Sequence, residues 1–169
     1  SVNNLNFINV SGVGFDAHIA NLFLKLKNRG LINYLKLIIK EIRYQAKKYN
    51  IKYNNTERNI EAYMISFANA SQYGNNAKIA SKASIKDGLI DFIIVKKFPK
   101  WQIPIFIFKL INGSLQNSNF IEIIKEKKME IISENSLIHL DGEPVKVQNP
   151  IKIKVIPKSL KILMPNEKK

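Results

Sequence analysis

The sequence contains no cysteine, which excludes disulfides and thiolate metal sites and fits a reducing, cytoplasmic compartment. Histidine is almost as scarce. His18 and His139 are the only two, and neither has a second histidine at a metal-binding spacing, so no zinc centre is expected. Long apolar runs are missing too: Ile103 to Ile111 falls short of the roughly 18 residues of a membrane span, and Pro104 and Lys109 interrupt it. Ser1 to Val10 is polar, lacks a basic start and does not read as a signal peptide. There is no G-x-x-x-x-G-K-[ST] phosphate loop, no G-x-S-x-G nucleophile elbow and no aromatic RNA-recognition motif.

Acids are under-represented. Against 27 Lys and Arg stand 13 Asp and Glu, a formal net charge of +14. Such a balance favours anionic partners, either a phospholipid surface or nucleic acid. The lysines are nevertheless spread over the whole chain, in company with abundant Ile and Asn, and a compositional bias explains them equally well. A hydrophobic content of 46 % over 169 residues is enough for one domain with a real core.

Asn6 to Val10 reads as a strand running into Ser11-Gly12-Val13-Gly14-Phe15-Asp16, a tight strand-to-helix turn. Asp16 takes the N-cap position before Ile19, Leu22, Phe23 and Leu26 at helical spacing. This helix is expected over 16–28, closing at Asn28-Arg29-Gly30. A longer one is expected over 31–49, with the stripe Leu31, Tyr34, Leu35, Ile38, Ile39, Ile42 and Ala46. Ile51–Tyr53 and Ile60–Ala68 look like the arms of a hairpin. Phe92–Val95 is a fully apolar strand, and 101–112 a helix with Pro104 in its first turn. Short strands follow at Met129–Ile132, Leu137–Leu140, Ile151–Ile156 and Leu160–Leu163. The pattern argues an α+β, mostly β domain: a two-layer antiparallel β-sandwich with an inserted pair of helices.

Two groups of acids are candidates for chemistry. Asp141 and Glu143 straddle Gly142 after an apolar run and before Pro144. In extended geometry they would share one face, and two close carboxylates suit general-base or metal work. The competing reading is a β-turn, because Asp-Gly is a strong hairpin signal. Asp87, within Ser84-Ile85-Lys86-Asp87-Gly88-Leu89, either holds a hard cation together with loop carbonyls or is a plain turn residue.

Four stretches, N-V-S-G-V-G-F-D-A, A-N-A-S-Q-Y-G, A-S-I-K-D-G-L-I-D-F-I-I-V and L-D-G-E-P, occur here in the order found in bacterial diacylglycerol-kinase-like lipid kinases, relatives of the sphingosine kinases. The resemblance runs from about Phe7 to Pro165. It implies the C-terminal, lipid-binding and catalytic-base domain of a two-domain enzyme, occupying 1–169 as a single domain. The N-terminal ATP-binding domain with its GGDGT-type loop has no counterpart here. By the same resemblance Glu143 would be the general base toward a lipid hydroxyl, with Asp141 beside it. Ser84, Asp87 and Leu89 would hold a mainly structural Mg²⁺, and Asp16 would line the cleft between domains on the cofactor side. ATP would be the co-substrate, bound mainly by the other domain, and this chain alone would be inactive.

The partners so implied are a lipid alcohol such as diacylglycerol, an anionic membrane surface touched peripherally from the cytoplasm, and the ATP-binding domain; nucleic acid is not among them. An apolar slot for acyl chains would be lined by the Tyr34-to-Tyr49 stripe or by Ile103 to Phe108, unless these are plain core. The alternative is a basic, non-enzymatic module for nucleic acid or an anionic surface, in which Glu143 has no role.

Overall fold

The computed structural model describes residues 1–26, 30–74 and 76–161. Its spine is a 13-residue strand, β3 (Thr56–Ala68), which no other strand matches in length among the described residues. The first half of β3 pairs with β2 (Lys47–Tyr53), and its second half pairs on that same edge with β1 (Val10–Gly14). The opposite edge carries β4 (Ile90–Lys96). A bulge at Tyr63, between Ala62 and Met64, marks where β3 passes from one set of neighbours to the next. An extra residue of this kind bends and twists a strand, and here it lets one sheet curl into two layers.

The remaining strands are β5 (Ile121–Glu126), β6 (Lys128–Ser133), β7 (Leu137–Leu140), β8 (Glu143–Lys146) and β9 (Ile151–Lys154). They extend the sheet to the order β8-β7-β1-β3-β2-β6-β9, with β4 and β5 branching from β3. Every pairing is antiparallel. Alternate residues point into the curl: Tyr49 and Ile51, Ile65 and Phe67, Met129 and Ile131, Ile151 and Ile153 are all buried in one core. β4 is buried on both faces. Phe92 and Ile94 enter that core, while Ile93 and Val95 pack into a second one beneath the loops and α3 (Ile103–Asn112). The unbroken apolar run of β4 follows from this double burial. The mostly β, antiparallel, sandwich-like class expected from the sequence is the observed one.

Several boundaries differ from the expectation. β1 begins at Val10, so most of Asn6–Val10 is irregular. α1 spans Phe15–Leu24, and Asp16 lies inside its first turn instead of capping it; the N-cap position is Gly14, at φ 104°. The expected close at Asn28-Arg29 lies outside the described residues. α2 (Leu31–Lys40) ends nine residues before the expected Tyr49, because Lys47–Tyr49 belongs to β2, which is paired on both sides, with β3 and β6. Ile39, within α2, and Ile42, just beyond it, are both exposed. β5 and β8 were not expected as strands. Leu160 and Lys161 are irregular, and the rest of the last expected strand lies outside the described residues.

Candidate functional site

The turn Gly12-Val13-Gly14-Phe15-Asp16 is shaped around a carboxylate. At Gly12 any side chain would collide with the carboxyl group of Asp16. At Gly14, where φ is 104°, a Cβ would lie 2.5 Å from the Tyr63 carbonyl and 2.6 Å from the Tyr49 hydroxyl. The first glycine leaves room for Asp16, and the second turns the chain sharply from β1 into α1. The G-x-G is therefore the seat of an acid.

Asp16 is buried. Its Oδ1 accepts the Ala17 N–H at 2.8 Å, and its Oδ2 accepts the Ser66 hydroxyl at 2.9 Å and the Tyr73 hydroxyl at 3.3 Å. The Ser66 and Tyr73 hydroxyls lie 2.7 Å apart. His139 Nε2 stands 3.3 Å from Oδ2, close enough for an ion pair but without hydrogen-bond alignment. These donors, together with the N-terminal end of α1, give a buried carboxylate the partners it requires. Its negative charge adds to burial, the larger effect, in pushing the phenols of Tyr34 and Tyr44 up to about 12 and that of Tyr73 well above its ordinary value.

The same histidine reaches the second acidic motif, since its Nδ1 accepts the Gly142 N–H at 3.2 Å. Asp141 (φ 49°) and Gly142 (φ 93°) are the two residues of a tight hairpin turn between β7 and β8, both at the positive φ of a type I′ turn. The extended arrangement with Asp141 and Glu143 side by side on one strand is thus corrected. Asp141 instead clamps the N-terminal segment, its Oδ2 accepting the Ile8 N–H and its Oδ1 the Asn9 N–H, both at 2.8 Å. Pro144 does not end the pairing. It faces His139 in the edge strand β8, one step from the Leu140–Glu143 pair that closes the turn, where a backbone N–H would have pointed to the open edge. Glu143 is exposed, and its carboxylate makes no hydrogen bond or ion pair with another described residue.

A cavity of about 680 Å³ runs from these acids between the three helices. Its polar end carries Asp16, Tyr73, His139, Asp141 and Glu143. Its walls are apolar: Ile19 and Phe23 from α1, Tyr34 and Ile38 from α2, Phe106 and Leu110 from α3. Residues of both slots that the sequence offers as alternatives, Tyr34, Ile38 and Tyr44 of one and Ile103, Phe106 and Ile107 of the other, line this one cavity, whereas Tyr49 is buried in the core of the curled sheet. Volume and lining match a small-molecule site, apolar with a few convergent polar groups at one end.

Ser84, Asp87 and Leu89 are not among these walls. They lie in the loop before β4, where Asp87 Oδ1 accepts the Leu89 N–H at 3.0 Å in an Asx turn and Ser84 Oγ accepts the Lys86 N–H at 3.3 Å. Asp87 Oδ2 makes no short contact; Lys125 Nζ is 3.8 Å away and lies nearer, at 3.0 Å, to the buried Asp91. A carboxylate oxygen is the donor type that Mg²⁺ takes, and here Oδ2 has the Lys125 ammonium within ion-pair distance. Among the described residues no cluster of three acids and histidines offers a metal site. Sequence reasoning gave no role to Ser66, Tyr73 or His139. The signal available was a histidine buried in the four-residue run Leu137–Leu140 immediately before an Asp-Gly turn.

The family described as the YegS C-terminal NAD kinase beta sandwich-like domain matches residues 9–164, and the chain belongs to it. The chain is 29 % identical over 142 residues to a Chromohalobacter salexigens protein named "Probable lipid kinase YegS-like", a match that covers 82 % of this chain and 46 % of the relative. A Shewanella frigidimarina protein of the same name is 26 % identical over 167 residues, covering 96 % and 53 %. The chain spans about half the length of the curated relatives it matches. In fold it is similar to two solved structures from Bacillus anthracis, one of them of a diacylglycerol kinase. The TM-scores are 0.68 and 0.60 and the identities 22 % and 16 %, with 92 % of this chain and 51 % and 48 % of those chains covered.

Proposed function

We propose that this chain is the lipid-binding and catalytic-base part of an ATP- and Mg²⁺-dependent kinase that phosphorylates a hydroxyl of diacylglycerol or a related lipid. The observation that carries the reading is a cavity with a largely apolar lining that also takes in Glu143, whose carboxylate has no partner among the described residues. The acyl chains lie along α1, α2 and α3 and bring the hydroxyl to the acidic end. Glu143 takes the proton as the oxygen attacks the γ-phosphate and the bond to the bridging oxygen breaks, releasing ADP, a role worth about 10² to 10⁴ in rate. His139 and Asp141 act as positioning residues, since one accepts the Gly142 N–H and the other ties the turn to Ile8 and Asn9. Asp16 supplies fixed negative charge at the cavity's polar end.

The nucleotide is held mainly by an ATP-binding domain outside this sequence, in keeping with relatives about twice as long. Mg²⁺ would be held by Asp87 with backbone oxygens of Ser84 and Leu89, and it would order the loop that leads into β4. In the complete enzyme Glu143→Gln should lower kcat by about 10² or more with little change in KM for ATP. Near-normal turnover would refute the assignment.

A further inference from the structure

The start of β4 and the loop before it surround one ammonium group. Asp91 of β4 pairs across the sheet with Lys125 of β5, on the face that carries Ile93 and Ile123 into the second core. Asp91 is 2 % exposed. Among the described residues its side chain has one partner, Lys125, whose Nζ lies 3.0 Å from Oδ1. A carboxylate buried to that degree needs such a charge beside it. The same Nζ donates to the Lys82 carbonyl at 3.3 Å and stands 3.8 Å from Asp87 Oδ2. An ammonium has three protons to donate and accepts none. Oxygens of Lys82, Asp87 and Asp91 thus converge on it, and two of them belong to the loop that the Asx turn of Asp87 shapes.

We propose that the Lys125 ammonium is the internal counter-cation of the loop before β4, and that it competes with Mg²⁺ for Asp87. The inference rests on the reading of this loop as a metal holder, and it adds what orders the loop before a metal arrives. Of the two carboxylates that Lys125 serves, Asp87 is the one it can give up: the contact is longer and the acid is exposed. The ammonium cannot leave altogether, because its departure would strand the buried charge of Asp91. A divalent cation on Asp87 Oδ2 would therefore sit near a fixed positive charge, and like charges a few ångströms apart repel. Lys82 and Lys86, both exposed, add two more positive charges, and Asp87 and Asp91 are the only acids between residues 82 and 91. The loop is held without metal for this reason, and it takes Mg²⁺ more weakly than its oxygen donors alone would.

The full 169-residue chain and its variants are titrated with Mg²⁺ alone and followed by thermal melts and by limited trypsin digestion. Lys125→Met leaves Asp91 without a partner and lowers stability by itself. It is therefore also made in an Asp91→Asn background, where no buried charge is stranded. Without metal, the pair Asp91→Asn and Lys125→Met should be cut after Lys82 and Lys86 about tenfold faster than Asp91→Asn alone, since cleavage requires the loop to open. The pair should also reach half of its Mg²⁺-induced rise in melting temperature at about one-tenth of the Mg²⁺ concentration. Added Mg²⁺ should slow its cleavage back toward that of Asp91→Asn.

Equal cleavage of the metal-free loop with and without Lys125 would overturn the counter-cation role. A Mg²⁺ midpoint that stays the same or rises when Lys125 is removed would overturn the competition and keep the metal reading. No response to Mg²⁺ in any of these chains would defeat the metal reading itself, and the competition with it; faster cleavage would then still uphold Lys125 as the counter-cation.

Discussion

The carboxylate of Asp16 occupies the space that Gly12 leaves beside β1. The two residues are four apart in sequence, and the requirement between them is mutual: a side chain at Gly12 expels Asp16, and Asp16 loses Ser66 and Tyr73 if expelled.

Gly12→Ala should therefore cost about 1–3 kcal/mol through overpacking. Gly14→Ala should cost at least as much, because an added Cβ meets backbone and a buried phenol at a φ that disfavours side chains. Chemical denaturation of both variants measures this. Equal stability of Gly12→Ala and the parent would show that Asp16 can leave its seat freely.

The two acids of the hairpin should separate by readout. Asp141→Ala removes the acceptor of two backbone N–H groups and should lower stability by about 1–3 kcal/mol. Glu143→Gln touches an exposed side chain without partners and should stay within about 0.5 kcal/mol of the parent. Thermal melts of the two, side by side, test the division of labour between a clamp and a base.

Asp87→Asn should weaken any cation held by the loop before β4 while leaving the cavity intact, since none of Ser84, Asp87 and Leu89 lines it. The melting temperature of the parent should rise with added Mg²⁺, and that of the variant should need more Mg²⁺ for the same rise. A parent whose melting ignores Mg²⁺ would remove the loop from consideration as a metal site.

Alkaline pH should destabilise the fold. The phenols of Tyr34 and Tyr44 are raised to about 12 by burial and then by the charge of Asp16. Unfolded tyrosines ionise near 10, so above that pH the native state holds more protons than the unfolded one and stability falls as pH rises. The contribution is complete below pH ~10 and lost progressively toward ~12. Asp16→Asn should shift tyrosinate formation, followed by ultraviolet absorbance, to lower pH.

Much of this protein was legible where local pattern and tertiary environment agree. Phe92–Val95 could be read as a doubly buried strand because a continuous apolar run has few other uses. Pro104 at the start of α3 and Gly113 at φ 78° after its end follow from backbone chemistry alone. Asp141-Gly142 as a hairpin turn is equally local. The ordered motifs sufficed to suggest the family.

What the sequence could not decide were properties that depend on neighbours distant along the chain. Lys47–Tyr49 continues a helical spacing but forms a strand, since β3 and β6 offer backbone partners on both sides. Only the sheet order shows that the missing N–H of Pro144 faces an open edge. Asp16, Ser66, Tyr73 and His139 come from α1, β3, a loop and β7, and no linear spacing announces that they meet. The cavity arises in the same way: the inner faces of α1, α2 and α3 define a volume only once the curled sheet has set the helices against one another. Periodicity tells a side chain which face of its own element it occupies; only the packed fold decides what lies opposite.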